Sequence, residues 1–240
     1  MKKKELLTVK KNKSTLCLLL GAIYLALFFA LTIGLVCSGF GDFSYDRFIT
    51  GLGDRLGDGR FFCELNLEMY ELFGNNPFWY DLTEILGLVC FLFPLTFAGM
   101  GLFQLCKRKS LKKVDKDLYF LAGLYVVTGI FYVLFEKIVI NYRPIITEDG
   151  IEASFPSSHT VLVCVFAGSA AFFLARRIRN RWLRVGVVVL CAALTALVSF
   201  GRLLAGVHWF TDVLGGVLLA GGLVLLCKGL VLRFCARPQR

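Results

Sequence analysis

Charge is scarce in this chain: only 18% of its 240 residues are Asp, Glu, Lys or Arg, whereas 57% are hydrophobic. A soluble domain carries roughly a quarter charged residues and about half apolar ones. That balance argues against a soluble enzyme, a disordered tail or a nucleic-acid binder, despite a formal net charge of +10. Histidine is scarcer still, with two residues. No cluster of carboxylates accompanies them, so the ligands for a protein-built metal site are missing and no metal or other cofactor is expected. The nine cysteines show no paired spacing. Most fall in apolar runs, where they act as small apolar residues, and only Cys63 lies clearly outside, which leaves no disulfide framework. Internal repeats and low-complexity stretches are absent as well.

What the chain does have is long apolar runs. Six can be marked, near 16–37, 82–105, 118–135, 160–175, 185–201 and 213–232. Each approaches the ~20 residues needed to cross a hydrocarbon core. The first follows a lysine-rich start, but its roughly 22 apolar residues exceed the 7–15 of a secretory signal core and no small-residue cleavage site follows, so it reads as a span. The expected fold is therefore an all-α polytopic membrane protein, one domain over 1–240 with six transmembrane helices.

Lys and Arg sort these spans by side. Of the 27, 21 fall at the start, after the second and fourth runs, or at the C-terminal end. The positive-inside rule then puts both termini in the cytoplasm of a multi-pass protein of the cell membrane. The other side keeps six bases and 14 of the 17 acids. Three of those bases, Lys137, Arg143 and Arg202, sit in short, otherwise apolar loops after the third and fifth runs, where topology gives no reason for them. The outer segment 38–81 is too polar to cross. Within it Leu65, Met69, Leu72 and Phe73 share one helical face and Glu64, Glu68 and Glu71 another, which predicts a short helix on the outer leaflet. Phe78, Trp79 and Tyr80 follow where an aromatic belt would meet the second span.

Both histidines, His159 and His208, fall at outer span ends in the loops that hold the unexplained bases. Together those loops supply Arg143, Arg202, Lys137, Ser157, Ser158, the two histidines and Asp212. Guanidinium forks grip phosphate oxygens, small residues let backbone N–H groups approach an anion, and a helix beginning near Thr160 favours one too. His208 and Asp212 are four residues apart, which on a helix puts them on one face. The carboxylate would then hold the imidazole in one tautomer and free its other nitrogen as a nucleophile. His159 remains as a proton donor.

Those residues resemble the type 2 phosphatidic acid phosphatase superfamily, membrane phosphatases that share the catalytic helical bundle of vanadium-dependent haloperoxidases. The family carries Lys-x6-Arg-Pro, Pro-Ser-Gly-His and Ser-Arg-x5-His-x3-Asp. Here Arg143-Pro144 matches the end of the first, Pro156-Ser157-Ser158-His159 three of four positions of the second, and Arg202, His208 and Asp212 the third. The resemblance covers about 118–232. Three positions depart. Lys137 stands six residues before Arg143, with Glu136 in the family lysine's place; on a continuous helix that register rotates it by about 120°. An irregular chain before Pro144 would let Lys137 contact phosphate all the same. Ser158 replaces the family glycine and Gly201 the family serine.

The resemblance implies a metal-independent phosphatase at the extracytoplasmic face. Arg143, Arg202, Ser157, Ser158 and Lys137 would hold phosphate, His208 would form a phosphohistidine while Asp212 orients it, and His159 would protonate the leaving oxygen. A lipid phosphotransferase using the same residues, and an inactive structural relative, remain alternatives. A site at the membrane–water interface favours phosphatidate, phosphatidylglycerophosphate or a polyprenyl pyrophosphate such as undecaprenyl pyrophosphate, although the family also takes soluble esters such as glucose-6-phosphate.

Overall fold

Apolar runs of this length must satisfy their backbone groups without water, and helices do so within one segment. The computed structural model describes residues 2–50, 61–74, 76–146 and 150–235, with side chains left aside at 2–10 and 46–50. Its helices are α1 (Lys2–Cys37), α2 (Phe40–Thr50), α3 (Phe61–Phe73), α4 (Pro77–Cys90), α5 (Leu92–Arg108), α6 (Lys116–Lys137), α7 (Ser158–Arg177), α8 (Arg181–Leu204) and α9 (Phe210–Phe234). Six stretches are long and apolar enough to cross a membrane: Lys11–Cys37, Pro77–Arg108, and α6 to α9 whole. The expected six-span all-α plan is what the structure has.

The second span is broken at Phe91, where α4 ends and α5 begins. Pro94 explains the break, because it has no N–H for the carbonyl of Cys90 and its ring crowds that carbonyl. The helix resumes with Leu95 N–H donating to Phe91 O at 3.2 Å.

Helices α7 and α9 form the centre. About half of their most apolar stretch is buried (56% and 50%), against 17–22% in the other four spans. Those four turn Leu19, Ile33, Leu88, Leu102, Ile130 and Val189 outward, as a lipid solvent permits. α1 lies along α9 on small residues. A Cβ added at Gly21 would come within 3.0 Å of Gly222 O, and one at Gly222 within 3.2 Å of Gly21 O. Ser14 Oγ donates to Gly229 O at 2.8 Å. Close backbone approach of this kind is how helices associate where lipid is as apolar as leucine.

Both histidine-bearing loops lie at one end of the bundle. The α6–α7 connection is long; the α8–α9 turn is short, because Gly206 takes a positive φ of 67° just beyond the cap Ala205. The basic connections lie at the opposite end, tied by Arg108–Asp115 and Arg177–Asp117, both at 2.9 Å.

The segment before the second span does more than lie on a leaflet. Two helices, α2 and α3, stand there instead of the single expected one, and both pack onto the site end. Trp209 meets Phe40 and Tyr70 with ring centroids 5.5 and 5.7 Å away. Asn66 Oδ1 accepts from Thr211 N and Oγ1 at 3.0 and 3.1 Å, satisfying a free N–H in the first turn of α9. The inward face of α3 is consequently Cys63 and Asn66, while Leu72, expected on the apolar face, is 69% exposed.

Candidate active site

The loop between α6 and α7 is held before any side chain acts. Tyr142 and Ala153 form an antiparallel bridge, with Arg143 N donating to Glu152 O at 3.1 Å and Ser154 N to Asn141 O at 3.0 Å. From outside, Ser44 Oγ of α2 accepts from Tyr142 N at 3.0 Å, and Trp209 Nε1 donates to Tyr142 O at 2.7 Å. From inside, Phe155 stacks on Phe28 at 5.7 Å, meets Phe135 edge-on at 6.0 Å and fills the room left by the missing side chain of Gly215. Arg143 and Ser154, at either end of this ladder, are thereby fixed relative to α1, α6 and α9.

His208 lies in the turn before α9 and is almost fully buried. Its Nδ1 stands 3.7 Å from Asp212 Oδ2, too far for the direct bond that the four-residue spacing predicts. Ser154 fills the gap: its Oγ is 3.0 Å from His208 Nδ1 and donates a short bond to Asp212 Oδ2. The hydroxyl thus accepts Nδ1–H and passes its own proton toward the carboxylate. Asp212 also accepts from Asn141 Nδ2 at 2.8 Å and from Trp209 N at 2.9 Å. A four-residue step puts two side chains on one face only along one continuous helix. Instead α9 begins at Phe210, and its third residue folds back to cap the backbone of Trp209, which turns Asp212 away from the ring. Burial holds the His208 pKa well below 6.5, and the charges of Arg202 and Arg143 push the same way. The ring is neutral, with Nε2 as its free lone pair.

Arg202, fully buried near the end of α8, and His159, in the first turn of α7, are joined by a residue from the second span. Glu84 Oε1 accepts from Arg202 Nη1 at 2.9 Å and its Oε2 lies 3.0 Å from His159 Nε2. Thr83 adds a hydroxyl 3.3 Å from Arg202 Nη1.

Among the described residues at this end of the bundle, five buried nitrogens have no hydrogen-bond partner: Arg143 Nε, His159 Nδ1, Arg202 Nε and Nη2, and His208 Nε2. Arg143 Nε lies 3.2 Å from Glu152 as an ion pair. Arg143, Ser154, Ser158 and His208 line one cavity of about 40 Å³. Ser157 is buried beside it as the N-cap of α7, with its N–H donating to Asp212 O at 3.0 Å and its Oγ accepting from Thr160. Lys137 is not brought to this cluster. It ends α6 exposed, and Glu136 lines the cavity in its place, as the one-residue difference in register requires. Among the described residues no group of three or more His, Cys, Asp or Glu side chains is placed to hold a metal ion.

Ser154, Asn141 and Glu84 are absent from the sequence reading. Ser154 and Asn141 carry no signal of spacing. Glu84 does, since an acid inside an apolar run is costly and marks function by default.

The PAP2 superfamily model matches residues 117–234, which span α6 to α9 and every loop residue described above. Among curated proteins, phosphatidylglycerophosphatase B of Bacillus subtilis is 33% identical over 101 residues. That match covers 39% of this chain and 46% of the relative, so the chain aligns with about half the relative's length. Among solved structures, a transmembrane PAP2-type phosphatidylglycerolphosphate phosphatase from Bacillus subtilis superposes with a TM-score of 0.55 over 91% of this chain and 98% of its own, at 19% identity. That likeness concerns the fold and reaches beyond the matched family region. Residues 117–234, just under half of the chain and most of the site, are thus similar to the PAP2 superfamily.

Proposed function

We propose that this chain is a membrane lipid phosphatase, cleaving a phosphomonoester or pyrophosphate through a phosphohistidine at His208, without a metal and at the extracytoplasmic face. The observation that carries the reading is the set of five buried nitrogens, from two arginines and two histidines, that lack hydrogen-bond partners. Buried polar groups are normally satisfied. A phosphate anion would accept from the arginine nitrogens through its non-bridging oxygens and from His159 through its leaving oxygen, and would set its phosphorus before the bare Nε2 of His208.

In this mechanism Arg143 and Arg202 grip the non-bridging oxygens, and the first turn of α7 adds its outward N–H groups. The Nε2 lone pair of His208 attacks phosphorus as the bond to the leaving oxygen breaks. That oxygen takes the proton of His159 and departs as an alcohol, or as a phosphate from a pyrophosphate. His159 then takes a proton from water, whose oxygen attacks the phosphohistidine and returns His208 to its neutral form. Ser154 and Asp212 keep Nδ1 protonated throughout, so only Nε2 can react. Fixed positive charge stabilises the transition state, and the arginines supply it.

The relative's name supports a lipid phosphate as substrate, and a site at the end of a membrane bundle suits an amphiphile whose phosphate lies in the headgroup layer. The excess of Lys and Arg at the opposite end supports an extracytoplasmic site. The test is phosphate release by detergent-purified protein with EDTA present, over phosphatidate, phosphatidylglycerophosphate, undecaprenyl pyrophosphate and sugar phosphates, beside His208→Ala. Release from a lipid substrate that vanishes in the variant is expected, as is inhibition by vanadate, which adopts the geometry of phosphoryl transfer. Silence across the panel from folded protein would overturn the proposal, and transfer to an added lipid acceptor would redirect it.

A further inference from the structure

We infer that Glu84 is the positioning residue of the acid–base histidine, forming with His159 a second histidine–carboxylate pair beside the one built on His208. The inference rests on the phosphatase reading and adds a residue to it. Glu84 belongs to α4, outside the matched family region, and shares a groove of about 100 Å³ with Gly87, Leu88, Phe91, His159, Leu162 and Val163. An ionisable side chain in such apolar company is costly unless partnered. Its partners are His159 and Arg202.

The way those partners are shared decides between two roles. A carboxylate that merely stood where substrate phosphate binds would take the reactive edges of both cations. Glu84 does the reverse. It takes Nη1 of Arg202 and leaves Nε and Nη2, the pair of donors that grips an oxyanion as a fork. It takes Nε2 of His159 and leaves Nδ1. Both groups stay available while their orientation is fixed. Nε2–H held by the carboxylate dictates that Nδ1 is the nitrogen exchanging protons with the leaving oxygen and with water. The carboxylate also compensates the ring whenever it carries both protons.

The departure from the family motif at Gly201 belongs to the same arrangement. A Cβ at 201 would strike Thr83 Cγ2 and lie 3.1 Å from Trp79 Cε3. α4 therefore occupies the room a serine side chain would need. In exchange it delivers the Thr83 hydroxyl and the Glu84 carboxylate to Arg202. One turn along, Gly87 clears the His159 ring, since a Cβ there would lie 2.9 Å from its Cδ2.

The experiment compares kcat/KM for dioctanoyl phosphatidate, whose alkoxide must be protonated to leave, with that for p-nitrophenyl phosphate, whose leaving group needs no proton. Glu84→Gln is expected to lower the first about 10- to 100-fold and the second less than about threefold, because proton donation is worth about 10²–10⁴ and is only partly lost. In a His159→Ala background the same substitution should change the phosphatidate value less than about twofold, since coupled residues are not additive. Equal losses on both esters, no loss on either, or a full loss persisting without His159 would each overturn the inference. Should Glu84→Gln fail to fold, Glu84→Asp carries the same expectation, because it retains the charge and withdraws it by one methylene. Wild-type protein inactive on both esters and on every other phosphate and pyrophosphate of the panel would instead remove the phosphatase reading itself.

Discussion

The two histidines stand in contrasting surroundings, though both end up tied to a carboxylate. His208 is buried against α9 and reaches Asp212 through the hydroxyl of Ser154. His159 is about a quarter exposed and meets Glu84 directly. A buried ring flanked by two guanidinium groups is held neutral, as a nucleophile must be. A ring facing a carboxylate at an open groove can take and give protons. The proposed chemistry, which needs one histidine as nucleophile and one as proton carrier, would thus be divided by environment, not by residue type.

The sharpest way to break that division is to remove each histidine in turn. His208→Ala should abolish turnover, by roughly 10⁴-fold or more, and no phosphoprotein should form on any substrate. His159→Ala should cost about 10²–10⁴-fold on phosphatidate. On p-nitrophenyl phosphate, the His159→Ala protein should still be phosphorylated and then stall, because water lacks its base. The check is ³¹P NMR of the quenched protein, where an acid-labile phosphohistidine signal is expected in His159→Ala alone. A signal in His208→Ala would reverse the two roles.

How much of this could be read from the sequence differs between scaffold and site. The six spans were legible because lipid contact imposes composition and length on every one of them. The break at Phe91 was not expected from the sequence, although Pro94 carries its cause. Within the candidate site, Arg143, His159, Arg202, His208 and Asp212 could be named because each is a scarce or charged residue in or beside a loop, where topology gives no reason for it. Ser154 could not: serine is common, and its role depends on a loop crossing in front of α9, which no local spacing encodes. The helical spacing of His208 and Asp212 misled for a related reason, since α9 starts two residues after His208. Asn141 and Asn66 are similar cases, recognisable only once the groups they satisfy are in place. Glu84 was visible as an acid in an apolar run, yet only the packing of α4 against Gly201 shows which cations it meets.

Ser154 offers a smaller and more discriminating perturbation. Ser154→Ala strands His208 Nδ1–H and one bond of Asp212, and about 10- to 100-fold should be lost, equally on alkyl and nitrophenyl esters because the defect lies with the nucleophile. Stranding two buried groups should also cost about 1–3 kcal/mol of stability. Unchanged activity would mean the ring closes the 3.7 Å to Asp212 unaided and the relay is dispensable.

The same burial predicts a pH effect. His208 binds its proton more weakly folded than unfolded, so between its depressed pKa and the ordinary 6.5 the unfolded chain holds more protons. Stability should then fall as pH drops below about 6.5, by at most about 1.4 kcal/mol per pH unit. Thermal unfolding in detergent against pH, with His208→Asn as reference, should show that slope reduced in the variant.

The smallest expected effect concerns the one residue whose place differs from the family pattern. Lys137 and Arg143 would be equal phosphate ligands if spacing to the Arg-Pro pair were all that mattered. Register says otherwise: a step of six residues from the end of α6 leaves Lys137 exposed, while Glu136 faces the cavity that Arg143 lines. Arg143→Ala should cost about 10²–10³-fold in kcat/KM, the usual worth of one transition-state donor. Lys137→Ala should cost less than about threefold, and its remaining effect should fade with added salt, as befits an exposed charge. A salt-independent loss matching that of Arg143→Ala would mean that substrate draws the end of α6 inward. Glu136 would then have to leave the cavity wall, and Glu136→Gln would be the variant to gain activity.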